Sequence, residues 1–81
     1  MNLDGAKQLF EEIVDLCQQT QNQQLIEIAA SLYPEVEQAD DLTKVISSAE
    51  ELQVNLNEME FLPEEEEDVQ EMHEKIEKMS E

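Results

Sequence analysis

Eighty-one residues with twenty-two acids, four lysines and no arginine carry a formal net charge of −18. That charge repels nucleic acid and anionic lipid and favours cationic protein partners, attracted over a distance set by salt. A chain near this length buries only about 60% of the surface its unfolded form exposes, so a deep catalytic cleft is not expected.

One Gly, two Pro and three aromatic residues, Phe10, Tyr33 and Phe61, provide little hairpin-turn chemistry and a core built from aliphatic residues and Met. The expected fold class is all-α: a single domain over 1–81, folded as a small three- or four-helix antiparallel bundle with an acidic C-terminal helix. Cys17 has no partner for an internal disulfide. Neither a signal-peptide core nor a membrane-length apolar run is present, and the expectation is a soluble cytoplasmic protein without a membrane partner.

In the first segment Ala6, Leu9, Phe10, Ile13, Leu16 and Cys17 recur at steps of three and four, predicting a helix over 4–20 capped by Asp4. The polar run from Gln18 to Gln24 reads as the connection to a second helix over 24–33, with Leu25, Ile28, Ala29, Leu32 and Tyr33 on one side. Pro34 disfavours helical geometry in the residue before it, so this helix is expected to stop there. The segment PEVEQADD then reads as a loop or a short turn.

Asp40 or Asp41 can cap a third helix over 41–60, with the stripe Leu42, Val45, Ile46, Ala49, Leu52, Leu56 and Met59. Ser48 followed by Glu51 has capping-box spacing and offers an alternative start, but the apolar phase does not slip, which favours one continuous helix. Pro63 suits the first position of a fourth helix over 63–80, because its missing N–H would be unpaired there anyway. Glu64 to Asp68 follow in the first turns and Lys75 and Lys78 lie near the end, matching the helix dipole. Its apolar residues, Val69, Met72, Ile76 and Met79, form a narrow seam made to lie on another helix.

Residues 58–81 carry a net charge of −9, as much as residues 1–57. Along a helix with a rise of about 1.5 Å per residue, the C-terminal acids fall about one per 3 Å, close to the roughly 3.4 Å phosphate spacing of one DNA strand. The candidate partner-binding residues are Glu64, Glu65, Glu66, Glu67, Asp68 and Glu71, together with Tyr33 as an aromatic anchor inside an acidic rim of Glu35 and Glu37. A tyrosine in phase with Leu25, Ile28 and Leu32 can equally be a core residue at a helix end.

Catalytic chemistry is poorly represented and no enzyme is expected. His73 is the sole histidine and Cys17 lies on an apolar stripe. His73 and Glu77 have i, i+4 spacing but lack the second histidine of a zinc motif, and Gln70 stands where a di-metal motif needs glutamate. No metal or other cofactor is expected. The function expected from these observations is regulation or inhibition of a basic, nucleic-acid-binding protein, by mimicry of nucleic acid and without direct nucleic-acid binding. The alternative is an assembly subunit whose C-terminal helix mediates homo- or hetero-oligomerisation.

Overall fold

Asn2, rather than Asp4, sets the start of the first helix. In the computed structural model, which describes residues 1–80, Asn2 is extended and its Oδ1 accepts from the Gly5 N–H at 2.7 Å, so α1 runs Leu3–Thr20. Asp4 lies within the first turn, where its carboxylate still meets the positive end of the helix dipole. Gly5 permits the close approach of the cap, since a Cβ there would lie 2.9 Å from Asn2 Oδ1.

The polar run after α1 is mostly helical, contrary to the expected seven-residue connection. Only Gln21 and Asn22 separate α1 from α2, Gln23–Glu37. Gln21 takes the left-handed conformation (φ 59°) and its N–H returns to the Gln18 carbonyl. Asn22 Oδ1 caps α2 by accepting from the Leu25 N–H at 3.1 Å. Glutamines propagate a helix well and face solvent here, so helix-end geometry rather than hydrophobic phase sets the boundary.

The expected break at Pro34 does not occur; α2 continues to Glu37. A proline inside a helix costs about 3 kcal/mol. Pro34 and Ala30, whose carbonyl loses its usual helical donor, both lie on the exposed side, where water can satisfy the group. The continuing turn buries Val36 and leads to Ala39, both in the core, and its end is satisfied by Gln38 N–H to Pro34 O and by Lys7 Nζ, which donates to the Glu37 carbonyl at 3.0 Å. Burial of these two apolar residues offsets the local preference.

Asp41 caps α3, Leu42–Glu58, by accepting from the Lys44 N–H at 3.1 Å. The helix is continuous through Ser47 and Ser48, with Ser48 buried against the core, and ends short of residue 60 because Met59 is already extended. The fourth helix, α4, runs Pro63–Met79 with proline in its first turn. No strand occurs among the described residues.

The four helices of the described residues therefore form an antiparallel bundle. Lys7 meets the end of α2 and Lys75 meets Glu12, placing the start of α1 beside the end of α2 and the later half of α4 beside the middle of α1. α1 packs against all three other helices and α3 against both α2 and α4, while among the described residues α2 and α4 do not pack against each other. The core is centred on Phe10, Ile13, Leu25, Leu52, Met72 and Ile76. Val69, Met72, Ile76 and Met79 are all buried, so the α4 seam is occupied within the single chain. The radius of gyration of 11.7 Å equals the roughly 11.7 Å expected of a folded domain of this length, which leaves no room for an undocked tail.

Candidate functional site

Acidic residues gather on two surfaces, one along α4 and one between α1 and α2. On α4, Glu64, Glu66, Glu67 and Glu71 are exposed and Asp68 is half-buried. Glu64, Glu67, Glu71 and Glu74 follow one another at steps of three and four and form a single outward stripe. Neighbouring like charges at this spacing destabilise a helix by a few tenths of a kcal/mol each.

Glu65 does not belong to that surface, which corrects its place in the expected exposed acidic run. It is 6% exposed. Its Oε1 accepts from the Leu62 N–H at 3.0 Å and its Oε2 from Asn22 Nδ2 at 3.1 Å. Leu62 has no side-chain acceptor, so the carboxylate of Glu65 supplies half of a capping box at the start of α4. Asn22 therefore serves two helices at once, with Oδ1 capping α2 and Nδ2 holding α4.

The second surface is a groove between α1 and α2. It is open to solvent, has a volume of about 520 Å³, and is lined by Glu11, Val14, Asp15, Ala30, Tyr33 and Pro34, with Gln18 at one end. A smaller depression of about 140 Å³ continues past Tyr33 and includes Asp4, Lys7 and Glu37. Tyr33 is half-buried against the core and is not at a helix end. Its hydroxyl donates to Glu11 Oε1 at 2.9 Å. The carboxylates of Glu37 and Glu11 hold the phenol protonated to well above its ordinary range. Glu37 thus shares the Tyr33 surface, whereas Glu35 lies on another depression with Asp41, Lys44 and Glu51, so the expected Tyr33, Glu35 and Glu37 trio is not one site.

Reading each segment separately missed Glu11, Asp15 and Gln18. Their i, i+4, i+7 spacing on the polar side of α1 was visible, but the partner helix was not. Ala30 and Pro34 form the matching i, i+4 pair on α2.

Ion pairing is sparse. Among the described residues two ion pairs form, Lys44 to Asp40 at 2.7 Å and Lys75 to Glu12 at 2.8 Å. The hydrogen bond from Lys75 holds Glu12 below its ordinary value, and Lys44 does the same for Asp40. Most of the acids among the described residues therefore form no ion pair.

Cys17 is fully buried with Sγ 3.8 Å from Met72 Sδ, and burial pushes the thiol up to about 12, far from a nucleophilic thiolate. His73 Nδ1 lies 3.3 Å from Gln53 Nε2, an amide on α3. Among the described residues no group of three potential ligands is placed to hold a metal ion, and no helix is long and apolar enough to cross a membrane. No protein-family model, curated protein or solved structure matches the chain.

Proposed function

We propose that this chain is an acidic binding module that occupies the cationic surface of a basic protein and thereby regulates or blocks it. The observation that carries the reading is the separation of roles on α4. Its apolar residues are consumed inside the bundle, while Glu64, Glu67, Glu71 and Glu74 face outward and form no ion pair among the described residues. Charge left unpaired within the chain remains available to a partner. A rigid helix presents such charge without the ordering entropy that a disordered acidic tail loses on binding. The basic surface of a nucleic-acid-binding protein fits this stripe, because its cations are arranged to meet regularly spaced anions.

Capture from a lysate at low and at high salt tests the proposal, followed by binding measurements on the captured protein with Glu67→Gln/Glu71→Gln/Glu74→Gln. The expected partner is basic, its association slows steeply with salt, and the triple variant binds more weakly without loss of fold. Capture of only neutral or acidic proteins, indifferent to salt, overturns this reading in favour of an assembly subunit.

A further inference from the structure

We propose that the groove between α1 and α2 is the site at which the basic partner anchors, taking an arginine side chain across Tyr33 between Glu11 and Asp15. The inference rests on the acidic-module reading and assigns it a specific contact. Other depressions on the surface, of about 450, 750 and 540 Å³, are also bordered by carboxylates. The groove between α1 and α2 adds an aromatic ring, Tyr33, to its acidic border.

Ala30 and Pro34 have short side chains and are exposed, so α2 builds a low wall and leaves Val14 and Tyr33 as an apolar floor. Asp4, Glu11, Asp15 and Glu37 border the two joined depressions, whereas the single bordering cation, Lys7, has its ammonium on the Glu37 carbonyl at 3.0 Å. The groove is therefore strongly negative at its edges and apolar at its base, complementary to a segment with cationic and apolar residues interspersed.

Arginine fits better than lysine. A guanidinium stacks on an aromatic ring through its planar face while its edge donates to carboxylates, whereas an ammonium is a strongly hydrated point charge. The Tyr33 hydroxyl is already oriented by Glu11, so the ring does not have to be ordered on binding. Its hydroxyl proton is committed to that bond, which leaves the phenol oxygen free to accept from an incoming N–H. One oxygen of Glu11 takes the Tyr33 bond; the other oxygen and both oxygens of Asp15 remain available as acceptors.

The test uses the full chain, isotopically labelled for NMR, titrated at low salt with a short synthetic peptide of Arg, Ala and Leu and with the same peptide carrying Lys in place of Arg. Amide shifts from the Arg peptide are expected to concentrate in residues 11–18 and 30–37, with the Lys peptide binding more weakly. Tyr33→Leu, which keeps apolar bulk but removes the ring, should weaken the Arg peptide about tenfold and the Lys peptide less.

Glu11→Gln/Asp15→Asn alters two exposed positions and should weaken binding more than the charge-matched Glu67→Gln/Glu71→Gln. If Tyr33→Leu proves unfolded, this comparison still decides the question. Shifts spread over α4, or equal losses in the two double variants, overturn the groove and leave the general acidic-module reading intact. Failure of both peptides to bind at low salt overturns both.

Discussion

The shared Asn22–Glu65 contact makes a prediction that a simple acidic-surface picture does not. In Glu65→Ala, Asn22 Nδ2 and the Leu62 N–H lose a charged acceptor. Hydrogen bonds to charged groups contribute about 1.5–3 kcal/mol each, but Leu62 is exposed and water can replace part of its bond. The net loss is about 2–3 kcal/mol, against a total stability of about 4–12 kcal/mol for a chain of this size. That corresponds to a fall in Tm of about 10–20 °C. Glu66→Ala, one residue further along on the exposed face, should stay within about 0.5 kcal/mol of wild type.

Polar exchanges sharpen the test. Glu65→Gln can keep the Leu62 bond but turns an amide N–H toward Asn22 Nδ2, and Asn22 cannot rotate to accommodate it because its Oδ1 caps α2. Asn22→Asp preserves that cap but sets one carboxylate against another. Each single change should cost about 1–2 kcal/mol, the penalty for an unmade buried hydrogen bond. The double variant Asn22→Asp/Glu65→Gln restores a donor facing an acceptor and keeps both caps, so it should recover most of the loss. Urea unfolding followed by circular dichroism measures all four proteins. If the double variant merely sums its singles, Asn22 and Glu65 are not coupled and the clasp is refuted.

Met72→Ala should cost about 2–5 kcal/mol, since the side chain is fully buried beside Cys17, and amide exchange in residues 69–79 should be slow at every protein concentration. Protection that appears only on concentrating the protein would make α4 an oligomerisation element. Gln21→Gly should stabilise by about 0.5–1 kcal/mol in chemical denaturation, because it relieves a left-handed non-glycine residue; a loss would mean that the Gln21 side chain contributes a contact of its own. Added salt should raise Tm by screening self-repulsion. Acid should lower it. Glu12 is depressed below 4.5 by Lys75, so the contribution of that pair is complete above 4.5 and is lost as pH falls through the depressed value. Glu12→Gln should accordingly flatten the acid limb of a Tm-against-pH series.

Periodicity alone determined the helical class, the continuity of α3 through Ser47 and Ser48, and the apolar faces of α1 and α4. Burying one stripe per helix requires those residues to recur every three or four positions, and the sequence displays that recurrence directly. Helix ends were less legible. The start of α1 depends on which of two nearby polar residues closes on a backbone N–H, and both Asn2 and Asp4 have the necessary side chain. The helix passes Pro34 because a local steric preference of about 3 kcal/mol is outweighed by packing of Val36 and Ala39, whose value depends on the helices across the core. Glu65 is identical in kind to its neighbours in the run Glu64 to Glu67. Only the approach of Asn22, forty-three positions earlier in the chain, makes it a buried clasp and leaves the rest as surface. The Tyr33 groove likewise arises where two polar helix faces meet, and the meeting of two faces is a property of tertiary structure that neither segment contains alone.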